Sequence, residues 1–411
     1  MGKTSRNEYY QSIRERYKKS DKHRKKYILN EFCKICGYNR KYAIRLLNNN
    51  GSENQERQKR PGRRKKYYKQ RVIEFILQTW LSTHHLCSKR LKAAIKDWLP
   101  FYTTAKGISL TGEDLKLIET VSSRTIDRIL KPYRKKYKTY GMATTKPGSI
   151  LKEFIPIKTK QWDETKPGFL EADTVAHCGG SIAGDFIFTV NMVDIATNWT
   201  IQRAVWCKGQ KGVKEAIISM ENTLPFKILG FDTDNGSEFL NWNLISYFKN
   251  KKVKFSRSRP YEKNDNAHIE GKNWTVVRRY LGYERFDTME TLNLLNELYK
   301  SDWYKYLNYF LPSVKLKSKD RVGSKIVKIH DEARTPLERL LESSVIKNEV
   351  KLKLRKEKER MNPYLLSDEI NRRTEKIKQL AKYSKSGMNQ RSLSDEVKNI
   401  VNQMKNVAVK K

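Results

Sequence analysis

Cysteine is scarce. Five thiols (Cys33, Cys36, Cys87, Cys178, Cys207) in 411 residues are too few, and odd in number, for a disulfide framework, and they fit a reducing compartment. Long apolar runs are missing: no stretch approaches the roughly 18 apolar residues of a membrane span, and the mean hydropathy is −0.78. The opening residues Met1-Gly2-Lys3-Thr4-Ser5-Arg6 have no apolar core of a signal peptide. These absences predict a soluble, intracellular chain with no membrane partner. Acidic residues are in deficit as well, 45 Asp+Glu against 85 Lys+Arg, a net charge of +40. That excess is far beyond what solubility requires and predicts attraction to a polyanion, with nucleic acid the first choice.

The charge is unevenly spread. Residues 1–80 hold 23 Lys+Arg against 7 Asp+Glu, whereas residues 161–240 hold 6 against 11. An acidic island in so basic a chain makes sense if its carboxylates hold metal cations. Within residues 1–58, the spacing of Tyr27, Ile28, Phe32 and Ile35, the break at Gly37 and the cap at Asn39 predict a helix-turn-helix. Its second helix would present Arg40, Lys41 and Arg45 to a major groove; the alternative is an ordinary helical hairpin with a solvated basic face. Residues 59–69 form a basic linker in which Arg60, Arg63 and Arg64 either enter a minor groove or serve as a plain tether. Residues 70–140 read as a second helical DNA-binding domain, whose Ser122-Ser123 cap leads into a helix carrying Arg124 and Arg128.

From about residue 160 to 316 the pattern becomes strand-like. Phe169–Val175, Phe186–Val193 and Trp199–Trp206 predict a three-stranded meander, followed by strands near 227–231 and 253–256 and helices over 211–222, 237–249 and 266–281. Strands and helices in this order imply a mixed five-stranded α/β sheet with helices on both faces. Residues 317–411 read as a basic helical region with a frayed polar tail.

Three carboxylates stand out. Asp173 sits in the middle of a strand, an expensive place for a charge without a cation. Asp234 ends an apolar strand at an Asp234-Asn235-Gly236 turn, where open α/β sheets place ligand sites. Glu270 opens a helix, and Trp274 and Val277, four and seven residues on, put it on the stripe facing the sheet.

With Asp234-Asn235-Gly236-Ser237-Glu238-Phe239 and 35 residues between Asp234 and Glu270, the chain resembles the DDE transposases of the retroviral-integrase type. The Arg259-Pro260-Tyr261 and Asn264–Glu270 segments resemble those of bacterial insertion-element members. The resemblance implies a ribonuclease H-like core over about 165–300 and two Mg²⁺ (or Mn²⁺) ions per site. Asp173 would be shared by both ions, with Asp234 on one and Glu270 on the other. It implies cleavage at the element's terminal inverted repeats and joining of the 3′-hydroxyls to target DNA, by at least a dimer, in the bacterial cytoplasm at the nucleoid. The alternative is a non-catalytic, domesticated DNA-binding regulator.

Neighbouring groups have plainer expectations. Glu171 shares the strand face of Asp173 and is its rival for the site, Asp232 is solvated, orients a neighbour or repels to tune a pKa, and Glu238 serves a helix first turn rather than a metal. His268 is expected beside DNA or behind a ligand. His177 and Cys178 belong to hairpin structure, and His84-His85 with Cys87 mark a helix boundary. Lys272, Arg278 and Arg279 are candidates for phosphate contacts. No zinc is expected at Cys33 and Cys36, which lack a second ligand pair.

The charge excess generates one prediction. Affinity of the full chain for double-stranded DNA falls on the order of 10³-fold between about 50 and 200 mM salt, because phosphate contacts release counterions. A filter-binding or anisotropy titration with a flat salt dependence would refute it.

Overall fold

The computed structural model describes residues 2–48, 68–134, 164–234, 236–258, 267–322 and 325–381. The linker residues Arg60, Arg63 and Arg64, like Asn235 and the loop 259–266, lie outside them. The chain divides into two compact units, Met1–Tyr67 and Tyr68–Lys411.

The first unit holds α1 (Lys3–Lys19), α2 (Lys22–Cys36) and α3 (Arg40–Asn48). Asp21 caps α2 by accepting from the Arg24 amide at 2.9 Å, Gly37 ends it in the left-handed region at φ 67°, and the Asn39 side chain accepts from the Lys41 amide. Gly37 is the turn of the hairpin because only a residue without Cβ takes that φ at no cost. Ile13 and Tyr17 of α1 pack with Ile28, Leu29, Phe32, Cys36, Ala43 and Leu47. The α1 helix has no counterpart in the sequence reading, since its buried residues are too sparse to make a visible stripe. Cys36 belongs to this core and Cys33 borders it.

In the second unit, α4 (Gln70–Ser82) and α5 (Ser88–Lys106) are separated by a turn at His84 and His85, followed by α6 (Gly112–Thr120) and α7 (Ser123–Arg134). Thr111 and Asp114 form a capping box on α6, and Ser122 Oγ accepts from the Thr125 amide. The expectation that residues 70–140 form a domain of their own is corrected by what covers their core. Trp98 donates to the Phe310 carbonyl at 3.2 Å and meets the Tyr364 ring edge-on at 4.8 Å. Tyr306 donates to the Ser82 carbonyl at 2.6 Å. Two Trp and several aromatic rings need more cover than four short helices provide, so the bundle closes on the later part of the chain.

The sheet follows: β1 (Phe169–Ala176), β2 (Ile187–Asp194), β3 (Thr200–Trp206), α8 (Gln210–Glu221), β4 (Gly230–Thr233), α9 (Trp242–Asn250) and β5 (Lys254–Arg257). Its order is β3-β2-β1-β4-β5. The first three strands form an antiparallel meander, and β4 and β5 run parallel to β1. This is a ribonuclease H-like core. On one face Arg203 reaches Ser219 of α8, and Phe231 stacks on Phe248 of α9 with centroids 4.6 Å apart. The other face is covered by α10 (Ala267–Lys272), which runs through a π-helical stretch (Asn273–Arg278) into α11 (Arg279–Leu281), and by α12 (Met289–Leu298), a second π-helical stretch (Tyr299–Trp303) and α13 (Tyr304–Phe310). There Thr189 hydrogen-bonds Tyr299 at 2.8 Å.

The basic C-terminal region has the expected helices, and before them an antiparallel hairpin that was not expected, β6 (Leu316–Val322) and β7 (Lys325–His330). The β-branched residues Ile326, Val327 and Ile329 favour a strand over a helix. After it come α14 (Pro336–Glu342), α15 (Asn348–Glu359) and α16 (363–381).

Because Tyr364 is fully buried, packs on Trp98 and hydrogen-bonds Thr79 at 2.7 Å, Tyr364→Ala should destabilise the whole second unit by about 3–5 kcal/mol. Urea unfolding followed by Trp fluorescence should show one transition at a lower midpoint. A change confined to α16, with the sheet unaffected, would contradict the single core.

Candidate active site

Parallel pairing of β1 with β4 sets Ala172 opposite Thr233. One residue further, Asp173 on β1 and Asp234 just past the end of β4 are neighbours close enough for their charges to interact. Both are half-buried. Burial pushes the Asp173 carboxyl up to about 7, and the neighbouring Asp234 charge adds to the rise. Asp234 is raised too, by burial and then by Glu238, against the lowering effect of its bond to the Gly236 amide.

Asp173 is held from two sides. Its Oδ1 accepts from the Thr174 amide at 2.7 Å and its Oδ2 from Asn273 Nδ2 at 2.6 Å. The Asn273 carbonyl oxygen in turn accepts from Asn191 at 2.8 Å, and the Asn191 oxygen accepts from Gln202 at 2.8 Å. Three amides crossing β3, β2 and the π-helical stretch thus point one donor at the carboxylate, and each amide fixes the orientation of the next. None of the three was singled out from sequence. Their signal was a polar side chain inside an otherwise apolar strand run, at Asn191 and Gln202.

Glu270 is exposed, which corrects its expected place on the stripe that faces the sheet. The residues that face the sheet are Ile269, Asn273, Val276, Val277 and Tyr280, and Glu270 falls one position, about 100° of helix rotation, off that line; the helix continues as a π-helical stretch from Asn273. Lys272 reaches the Asn198 carbonyl at 3.2 Å on the β2–β3 side; Glu270, two residues earlier, projects from the opposite flank of the helix. Among the described residues, no three His, Cys, Asp or Glu side chains form a group that could hold a metal ion. Asp173 and Asp234 are therefore brought together, while Glu270 is not part of such a group.

The other expected residues fall as follows. Glu171 is buried and its Oε2 accepts from the His268 and Ile269 amides at 3.1 and 3.0 Å, tying the start of α10 to β1. His268 thus meets Glu171 through its backbone. Asp232 accepts from Ser256 on β5 at 2.5 Å. Glu238 is not in a helix first turn, since α9 begins at Trp242 behind an Asn241 cap; it is buried beside Thr174 and Lys208. His177 is buried and bonded to Thr189. Arg278, expected at phosphate, donates to the Ala176 carbonyl at 2.6 Å, and Lys272 is committed to a carbonyl likewise; Arg279 is half-buried. Arg40, Lys41, Arg45, Arg124 and Arg128 are exposed, with Arg45 lying over the Tyr42 ring at 5.5 Å.

No protein-family model matches the chain. It is 35% identical over 340 residues to the uncharacterized protein y4rM of Sinorhizobium fredii, covering 82% of this chain and 95% of that one. Among solved structures it is similar to the magnesium-bound, dimeric HTLV-2 integrase catalytic core domain, with 15% identity, TM-score 0.27, and 36% of this chain and 90% of that one covered. The BIV integrase catalytic core domain gives 15% identity and TM-score 0.27 over 43% of this chain and 94% of that one. The order and direction of the strands, rather than these partial overlaps, identify the core.

The folded chain keeps a proton on Asp173 up to about pH 7, whereas the carboxyl's ordinary value is 3.8. Between those values the folded state binds more protons than the unfolded state, so metal-free stability contributed by this group is lost as pH rises through that window. Asp173→Asn removes the dependence. In EDTA, the melting temperature of the variant relative to wild type should climb between about pH 4 and pH 7.5; a constant difference would refute the buried like-charge pair.

Proposed function

The chain belongs to the same family as the Sinorhizobium fredii protein y4rM, and we propose that it is a DNA transposase of the bacterial insertion-element type. One observation carries the reading: Asp173 and Asp234, like charges on adjacent parallel strands, are both driven toward protonation by burial and by their acidic neighbours. A ribonuclease H-like sheet that holds two carboxylates in this way has a use for them when cations are present.

The donor set fits hard divalent ions, being oxygen only. Asp173, Asp234 and Glu270 would hold Mg²⁺ or Mn²⁺, two ions per site. When bound, such ions stabilise the attacking and leaving oxygens of an in-line displacement at phosphorus. The chain's own groups do the rest. Asn273 and the Thr174 amide keep the Asp173 carboxylate in one rotamer, and the Gly236 amide does so for Asp234. No side chain needs to attack phosphorus; water and then the freed 3′-hydroxyl of the element end are the nucleophiles. Arg40, Lys41 and Arg45, the linker residues Arg60, Arg63 and Arg64, and Arg124 and Arg128 would engage the terminal inverted repeats, and at least two copies would pair the two ends. Lys272, Arg278 and Arg279 would add phosphate contacts beside the site, against a plain solvated face; in the DNA-free chain the first two donate to carbonyls.

A second reading, a DNA-binding regulator without catalysis, is favoured by a single fact, that Glu270 is not grouped with the two aspartates in this DNA-free chain.

Incubation with cloned element ends and Mg²⁺ separates the two. Cleaved ends and strand-transfer products are expected, and Asp173→Asn, Asp234→Asn and Glu270→Gln should each lower both by on the order of 10³-fold or more, without additivity, while DNA binding persists. If no triad substitution alters the products, the DDE mechanism fails; if no product forms with wild type, the regulator reading stands.

A further inference from the structure

Glu238 is a charged side chain with no place in the scheme above, and its surroundings are unusual. It is 3% exposed. Its Oε1 accepts from Thr174 Oγ1 at 3.1 Å and faces Lys208 Nζ at 3.4 Å. Its Oε2 is buried and has no hydrogen-bond partner among the described residues. A buried carboxylate oxygen without a donor is costly, and it persists where something absent from the bare chain satisfies it.

The direction in which that oxygen points is set by Gly236. A Cβ built on Gly236 would lie 2.6 Å from Glu238 Oε2 and 2.9 Å from Asp234 Oδ1. The Glu238 carboxyl group and Asp234 Oδ1, from different side chains, therefore both lie against one glycine Cα, where the Cβ of any larger residue would collide with them. The backbone there does not demand glycine, since Gly236 is not among the glycines with positive φ. The missing side chain is accounted for by the two oxygens. Thr174 links the pair to Asp173, because its amide holds Asp173 Oδ1 and its hydroxyl holds Glu238 Oε1.

We propose that Glu238 is a metal-ligating carboxylate, its Oε2 and Asp234 Oδ1 together taking one divalent, oxygen-preferring cation over Gly236. Mg²⁺ and Mn²⁺ are commonly held by one or two carboxylates, with waters and substrate phosphates completing the shell, so a two-carboxylate clamp is sufficient on the protein side. Lys208, half-exposed on the other oxygen of Glu238, offsets part of the charge in the metal-free chain. The proposal rests on the reading of Asp173 and Asp234 as a metal centre and adds a ligand that the Asp-Asp-Glu spacing does not contain.

The test is Mn²⁺ binding to the full chain without DNA, with free Mn²⁺ counted by its paramagnetic resonance and folding checked by circular dichroism. Wild type should bind saturably. Glu238→Gln should weaken binding by roughly tenfold or more, and Gly236→Ala should do the same while keeping every carboxylate, because its Cβ enters the space between the two oxygens. Asp234→Asn should also lose the ion. If Glu238→Gln is folded and binds as wild type does while Asp234→Asn does not, the metal centre stands and the role of Glu238 is overturned. If Glu238→Gln does not fold, Gly236→Ala decides, and wild-type affinity there overturns the proposal. If wild type itself shows no saturable binding, both the clamp and the metal centre are overturned.

Discussion

Parallel pairing of two strands places two carboxylates against each other, and much of the neighbouring structure answers to that repulsion. Asp173 and Asp234 are adjacent because β4 enters the sheet beside β1 in the same direction; an antiparallel neighbour in the same place would carry Asp234 to the far end of β1. Once adjacent and half-buried, each raises the cost of ionising the other. Among the described residues the nearby cation is Lys208, which lies on Glu238 and offsets the Asp234 charge only in part. The surroundings supply directed donors: a backbone amide at Thr174, a backbone amide at Gly236, and an amide side chain at Asn273. Donors of this kind fix geometry without consuming the charge, which leaves the carboxylates oriented and available to an ion. A site held this way is destabilising in the bare fold, a common feature of functional sites.

The layer above the sheet is shaped by the same requirement. Glu171, from the same strand face as Asp173, takes the first amides of α10 and so sets where that helix begins. The π-helical stretch then brings Asn273 over Asp173 and sends Arg278 to the Ala176 carbonyl at the strand's end. The helix is pinned to β1 at both ends by polar contacts, and its apolar residues Val276 and Val277 close the space between.

Charge is divided in the same sense. A chain of net charge +40 gathers Glu171, Asp173, Asp232, Asp234 and Glu238 around its central strands β1 and β4, and carries the exposed Arg40, Arg45, Arg124 and Arg128 on helical elements elsewhere in the sequence. The helical segment 68–134 is not a free module: through Trp98, Tyr306 and Tyr364 it shares its core with the C-terminal helices, so its exposed Arg124 and Arg128 are mounted on the same compact unit as the carboxylates.

The sequence by itself determined the strands and their order of appearance, because alternation and apolar runs around Asp173 and Asp234 are local properties of the chain. It also made both aspartates conspicuous, since a charge inside or just beyond an apolar strand has few explanations. Helix ends at Gly37, Asn39 and Ser122 were legible for the same reason: caps are formed by residues a few positions apart. Only the tertiary structure decided what depends on residues far apart in the chain. The parallel partnership of β1 and β4, the amide series from Gln202 through Asn191 and Asn273 to Asp173, the burial of Glu238 beside residues of another strand, and the closure of the 68–134 bundle by Tyr306 and Tyr364 join segments separated by tens to hundreds of residues. Periodicity does not report such contacts. The line of residues by which the helix after Ala267 meets the sheet is of the same kind: Ile269 and Asn273 are the ones tied to β1 and β2, and Glu270 lies beside that line.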